Sequence, residues 1–202
     1  MPNEAYVREK EYTTLKSVPP RRLGLGSPAT GHASGGAAKR LSMYRTERLL
    51  IRQFEPRDKE PLTDLFSSSK AMEFIGPRRP MTEHETRVWL DNQLAMQQVG
   101  LTRFAVELTA IRELIGVCGY QQMEGEWDFG FYFRPSFWGH GYATEACVYL
   151  LEKADEFLHG NPFVIFIAED NVASQKVMQR CGYTPTKLIT RAGERGSYYT
   201  AD

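Results

Sequence analysis

Arg134-Pro135-Ser136-Phe137-Trp138-Gly139-His140-Gly141-Tyr142-Ala143-Thr144-Glu145-Ala146 is the stretch on which the reading of this chain turns. It is a glycine-bearing loop between an aromatic strand pattern and a helical one. From Ala143 onward, Cys147, Leu150, Leu151, Ala154 and Leu158 recur at the spacing of one helix face. A loop of small residues that runs straight into a helix N-terminus leaves several backbone N–H groups without intrahelical acceptors. With the positive end of the helix dipole, they make a site suited to phosphate or pyrophosphate. The better-known phosphate loops do not match. No Gly-x-x-x-x-Gly-Lys-Ser/Thr run is present, and Gly139 and Gly141 lack the third glycine of a dinucleotide fingerprint. Two glycines alone also suit a tight turn before a structural helix.

Working outward, residues 128–134 read as a strand, the helix runs to Leu158, and a strand over 163–168 follows. This crossover places the loop at the carboxyl end of a parallel strand pair, where α/β sheets bind ligands. Upstream, residues 49–54 read as a strand and 56–68 as a helix. Thr82 with Glu85 three residues later is a capping-box signature for a helix that runs to about Gln98 and ends at Gly100. Residues 103–108 and 113–122 read as a hairpin. A helix over 171–181 and a short strand over 185–190 complete an α/β pattern.

The 202 residues suit one domain with an added segment. The 25 basic residues balance 25 acidic ones, so no net field draws nucleic acid or an anionic membrane, and neither is an expected partner. Residues 1–43 carry Ser17-Val18-Pro19-Pro20, Gly24-Leu25-Gly26-Ser27-Pro28 and Gly31-His32-Ala33-Ser34-Gly35-Gly36. Such composition buries too little apolar surface to offset chain entropy. A disordered or loosely attached extension over 1–43 is therefore expected, with the folded domain over 44–202. Met43 stands just ahead of that domain, which leaves an upstream translation artefact as one source of the extension. Cys118, Cys147 and Cys181 have no metal-ligand spacing and fall in apolar stretches, the pattern of buried reduced thiols. There is no apolar run of about 18 residues and no secretory apolar core, so a cytoplasmic location is expected.

The run from Phe137 to Ala146 resembles the acyl-CoA loop of the GCN5-related N-acetyltransferases (GNAT), specifically the RimJ/RimL-like branch that acetylates ribosomal-protein N-termini. Trp138 stands where most of that superfamily has Gln or Arg. Thr46-Glu47-Arg48-Leu49-Leu50-Ile51-Arg52 is similar to its first strand and Leu114-Ile115-Gly116-Val117-Cys118-Gly119-Tyr120 to its third. Asp128-Phe129-Gly130-Phe131 is similar to its fourth strand. Asn171-Val172-Ala173-Ser174 followed by Cys181-Gly182-Tyr183 is similar to its last helix. The resemblance covers about residues 44–190. It implies an α/β GNAT fold, a mixed central β-sheet flanked by helices, with splayed parallel strands forming an acetyl-CoA cleft. It also implies acetyl transfer from acetyl-CoA to a primary amine by direct attack in a ternary complex, without a metal. The acceptor would be a protein N-terminus or a small amine, and the chain a monomer or homodimer.

Acyl transfer from a thioester needs a neutral amine held close, a polarised carbonyl and a proton for the departing thiolate. A thiol of pKa about 8.5 is already a tolerable leaving group. Positioning therefore carries most of the rate, roughly 7–11 kcal/mol. By resemblance, Phe131 and Phe133 would present strand backbone to the pantetheine arm. The loop residues Gly139, His140, Gly141, Tyr142 and Ala143 would hold the pyrophosphate, with His140 exposed and Trp138 packing beside the cofactor. Asn171 would both cap its helix, worth about 1 kcal/mol, and bond the pantetheine arm. Met178 stands where the superfamily often has a proton-donating Tyr. Ser174, on the same helix face as Asn171, becomes the candidate acid, although first-turn capping also explains it. Asp128 is the candidate base, or else an orienting or ion-pairing group, with Glu126 and Glu194 behind it. Phe74, Tyr198 and Tyr199 are candidate pocket walls. Few residues remain after Tyr183 and the last strand reads short, which leaves the acceptor wall undefined. Met178 and that short terminus also support a rival reading, a catalytically weak acyl-CoA-binding or sensing domain. A nucleotide-binding enzyme rests on the glycines alone.

Overall fold

The structure, a computed structural model, describes residues 43–97, 103–123 and 125–201. The extension expected over residues 1–43 lies outside the described residues, apart from Met43. The central elements are β3 (Arg103–Leu108), β4 (Glu113–Met123) and β5 (Glu126–Phe133). They form an antiparallel meander with Phe104 opposite Cys118 and Cys118 opposite Phe131. Strand β2 (Leu49–Arg52) adds to β3, and β1 (Met43–Arg45) adds to β2. On the other edge β6 (Phe163–Val164) joins β5 in parallel, giving six strands in the order β1-β2-β3-β4-β5-β6.

Strands β3 and β4 are apolar on alternate and intervening positions alike because both faces of the sheet are covered. One face packs Leu49, Ile51, Phe104, Val106, Cys118, Phe129 and Phe133 against Ala146, Cys147 and Leu150 of the helix that follows the loop. The other packs Ala105, Leu114 and Val117 against Leu62, Leu65, Phe66 and Leu90. Those last four belong to α1 (Lys59–Ser67) and α3 (Glu83–Met96), which flank a short α2 (Ser69–Met72). The capping box at Thr82 forms: its hydroxyl accepts from Glu85 N–H at 3.2 Å, and Glu85 accepts from Thr82 N–H at 2.8 Å. This second face also buries Arg52, 2% exposed, between Asp58 and Glu107. All three guanidinium–carboxylate bonds there measure 2.8 Å. Burial opposes the Arg52 charge, and the two carboxylates outweigh it, raising its pKa above the ordinary value.

Four elements differ from their sequence reading. The helix expected to Leu158 breaks at Lys153 into α4 (Tyr142–Glu152) and α5 (Ala154–Leu158). Tyr120 Oη donates to the Leu150 carbonyl at 2.9 Å, diverting the acceptor that residue 154 would have used. The first strand is shorter than expected, and Thr46 to Arg48 form the turn between β1 and β2, closed by Thr46 N–H onto Leu49 O at 3.0 Å. The strand expected over 163–168 divides at Ile165 into β6 and β7 (Phe166–Ala168), which exchange partners between two sheets. The tail is longer in strand than expected. After α6 (Val172–Arg180) come β8 (Tyr183–Arg191) and β9 (Glu194–Ala201), in the order β7-β9-β8. Gly196 hid β9 from a propensity reading, yet it is what lets the strand close on β7. A Cβ there would stand 2.4 Å from Ile167 O.

Candidate active site

Strands β5 and β6 pair only at Trp127 with Phe163 and Asp128 with Val164. Beyond that point the chain leaves for the second sheet, where Tyr199 N–H donates to Ile165 O at 2.9 Å. Among the described residues, the outer edge of β5 from Phe129 to Phe133 therefore has no strand partner. The result is a splayed parallel pair with Asp128 at its apex. Phe129 and Phe133 are buried and Phe131 is half-buried, their rings turned into the α4-side core.

At the open end, a 3₁₀ turn (Pro135–Phe137) leads into the loop. Trp138 Nε1 donates to Phe133 O at 2.7 Å and fastens the loop to the strand end, while the Lys70 ammonium stands 5.1 Å over its half-open ring. Gly139 and Gly141 take φ values of +81° and +82°, and Gly141 is the N-cap of α4. A side chain in that left-handed region costs about 1–2 kcal/mol. Nothing lies within 4 Å of a Cβ placed on Gly139, so conformation rather than crowding selects glycine there. Among the described residues, no group accepts from the N–H of Gly139, His140, Gly141, Tyr142 or Ala143. His140 is exposed, its Nδ1 2.9 Å from Trp138 O and its ring stacked on Tyr142.

The loop is braced from beneath by residues that the sequence reading had assigned to a strand. Glu145, in the first turn of α4, accepts from Thr46 Oγ1 at 2.5 Å, Arg48 N at 2.9 Å and Arg48 Nε at 2.7 Å. Arg48 also donates to His140 O at 3.0 Å and lies 4.7 Å over the Tyr142 ring. Burial would raise the Glu145 pKa. The hydrogen bonds from Thr46 and Arg48 more than reverse this and hold the carboxyl below its ordinary value. Nearby, Asn171 caps α6, its Oδ1 accepting from Ser174 N–H at 3.1 Å, and Ser174 is half-buried in the first turn.

A family model described as an acetyltransferase (GNAT) domain matches residues 48–184. The chain belongs to the GNAT acetyltransferases. An uncharacterized N-acetyltransferase of Bacillus subtilis, YnaD, is 28% identical over 139 residues, 68% of this chain and 79% of that protein. An acetyltransferase of Agrobacterium tumefaciens superposes with a TM-score of 0.68 at 26% identity, covering 85% of this chain and 100% of that one. RimL, a ribosomal L7/L12 alpha-N-protein acetyltransferase solved with coenzyme A, shares the fold at a TM-score of 0.64. It is 20% identical, over 78% of this chain and 95% of that one. The chemistry of this GNAT domain is acetyl-CoA-dependent acyl transfer. The orphaned N–H groups at the start of α4 fit such a ligand, because its phosphates supply the acceptors those groups lack.

The opposite face of the GNAT cleft carries charges that the sequence reading placed incompletely. Asp128 Oδ1 accepts from Arg191 Nη1 of β8 at 2.7 Å, both side chains at most one-fifth exposed. Burial works against the Arg191 charge, and Asp128 outweighs it, raising the Arg191 pKa. Glu126 is exposed. Glu194 is ion-paired with Arg78, whose guanidinium lies 5.4 Å over Phe74. These three join the connection between α2 and α3 to β9. Tyr198 packs on Phe166, whereas Tyr199 is buried in the main core rather than on a pocket wall. Met178 is fully buried. Arg103, which drew no attention in the sequence, is buried beside Gly130 and lies 4.8 Å over the Tyr132 ring. A cation at the head of a mostly apolar strand, which holds one acidic residue, Glu107, was the available signal. Cys118 and Cys147 are buried free thiols 3.8 Å apart, and Cys181 is half-buried. Among the described residues, no group of three or more His, Cys, Asp and Glu side chains is placed to hold a metal ion.

Proposed function

We propose that this chain transfers an acetyl group from acetyl-CoA to a primary amine by direct attack in a ternary complex. The observation that carries the reading is the row of N–H groups from Gly139 to Ala143, unanswered at a helix N-terminus beside an unpaired strand edge. Acetyl-CoA supplies an activated acyl group whose thiol departs. The loop amides bind its pyrophosphate, with Trp138 and His140 beside it. The β5 backbone at Phe131 and Phe133 lines up the pantetheine arm. Asn171 spends its carbonyl oxygen on the Ser174 cap, which leaves its amide N–H free to donate to that arm.

Asp128 takes the proton of the attacking amine from the apex of the cleft, and the hydrogen bond from Arg191 keeps its carboxylate aimed. Ser174 donates to the departing thiolate. Proton transfers of this kind contribute about 10²–10⁴-fold, less than positioning does. Resemblance to the RimJ/RimL-like branch favours a protein N-terminal amine as acceptor, and a small amine fits the same chemistry. Two observations favour the second reading, a weakly catalytic acyl-CoA sensor: Asp128 is already ion-paired, and buried Met178 cannot donate a proton.

Thermal unfolding with acetyl-CoA, CoA, NAD and ATP in parallel tests the cofactor. A ligand at about 100 times its Kd stabilises by about 2.7 kcal/mol, a rise of several degrees. A rise with acetyl-CoA and CoA alone is expected; a larger one with NAD or ATP would overturn the reading. Sustained CoA release that depends on one amine removes the sensor reading, and its absence across a broad amine panel establishes it.

A further inference from the structure

The face of the sheet under α1 and α3 buries two arginines among the described residues, and they are treated differently. Arg52 is closed off by Asp58 and Glu107. Arg103, 6% exposed, has no carboxylate partner among the described residues, and its Nε–H has no acceptor among them. The register explains where it goes. Arg103 is opposite Gly119 on β4, and Gly119 is opposite Gly130 on β5. Two glycines in a row leave a trough across the sheet, and the Arg103 side chain runs along it. Its Nη2 and Nε end 3.4 and 3.7 Å from where a Cβ of Gly130 would stand, with Tyr132 Oη at 3.5 Å. The cation therefore reaches the middle of the unpaired stretch of β5. Gly130 and Asp128 lie two residues apart on the same strand face, about 6.6 Å along β5.

The Tyr132 ring answers part of the charge. It leaves the Nε–H without an oxygen, and a buried guanidinium keeps that state only at considerable cost unless an anion completes it. Two carboxylates on this face are held by other arginines, Glu107 by Arg52 and Asp128 by Arg191. The Nε–Nη2 edge of a guanidinium matches the two oxygens of a carboxylate.

We propose that Arg103 is the acceptor-recognition residue and that the acceptor is a small amine carrying a carboxylate, an amino acid in the broad sense. The carboxylate docks on Arg103 while the amine faces Asp128. The proposal rests on the acetyl-transfer reading above and names the substrate class of that site.

The test is a matched panel of amino acids and their carboxamides, assayed by CoA release with wild type, Arg103→Gln and Arg103→Lys. Wild type is expected to prefer the carboxylate member by about tenfold or more in kcat/KM. Arg103→Gln should bring that ratio near one through a higher acceptor KM, with the acetyl-CoA thermal shift unchanged. Arg103→Lys should restore part of the preference. Equal rates for acids and amides in wild type overturn the proposal even if no Arg103 variant folds. So does a preference that survives in Arg103→Gln. Wild type that shifts with acetyl-CoA but acetylates only carboxylate-free amines, or no panel member, also overturns it and leaves the cofactor reading intact. A wild type with no acetyl-CoA shift overturns the acetyl-transfer reading itself.

Discussion

Under the α4 loop, Glu145 is gripped by the Thr46 hydroxyl, the Arg48 amide and the Arg48 guanidinium, and Arg48 reaches on to the loop backbone at His140. Across β5, Arg103 is just as deliberately placed, yet among the described residues its Nε–H meets no acceptor. The difference is one of who completes the network. The loop side presents backbone donors to a ligand that is the same in every catalytic cycle, and the protein fixes those donors with its own side chains. The other side, on the proposal above, leaves part of its electrostatics for the second substrate to finish. Preorganisation belongs where the ligand is constant, and an unanswered group provides selectivity, because the wrong ligand leaves it unanswered.

Substitutions can separate the two sides. The largest effect is expected from Asp128→Asn, which keeps the shape of the apex and removes the proposed base. Turnover should fall about 10²–10⁴-fold, while the acetyl-CoA Kd, measured by calorimetry, stays within about twofold. Unchanged turnover would reduce Asp128 to an ion-pair partner of Arg191. A smaller effect in the opposite place is expected from Gly141→Val. Forcing a β-branched residue to φ +82° costs about 1–2 kcal/mol, so acetyl-CoA binding should weaken about tenfold with little change in acceptor KM. An equal loss on both substrates would mean that the loop also shapes the acceptor side.

The smallest effect concerns pH. The folded Glu145 pKa lies below its ordinary 4.5, so its contribution to stability is complete above that value and is lost as pH falls through the folded pKa. The melting temperature and acetyl-CoA affinity should both hold down to about pH 4.5 and then drop. In Glu145→Gln that acid-side drop should shrink. Its persistence at full size would place the acid sensitivity elsewhere.

The loop side was largely legible in the sequence because its information is local. Gly139 and Gly141 are two residues apart, the helix period begins within two residues of them, and Asn171 caps its helix through the N–H of Ser174, three residues on. What the sequence hid was contact at a distance. Glu145 stands inside the diagnostic run, but its partners are nearly a hundred residues upstream in a turn that reads as strand. The capping box at Thr82 was visible because both halves are three residues apart. The trough across Gly119 and Gly130 depends on the register of three strands, which alternation alone does not set. Strand β9 was obscured by a glycine chosen for close approach to β7, and with it the continuation of the acceptor side. The break of the long helix required knowing that Tyr120 reaches Leu150.

The partner exchange at Ile165 bears on how such a protein diversifies. Strands β8 and β9 pair only with each other and with β7, whereas the loop, α4 and β5 belong to the other sheet. Residues 183–201 thus form a cassette that carries Arg191 to Asp128 and Glu194 to Arg78, on the proposed acceptor side. A descendant can rewrite the cassette and so change what it acetylates, provided an aromatic at Tyr199 still seats in the main core. Lineages that share the loop while differing in that hairpin should differ in acceptor and agree in donor.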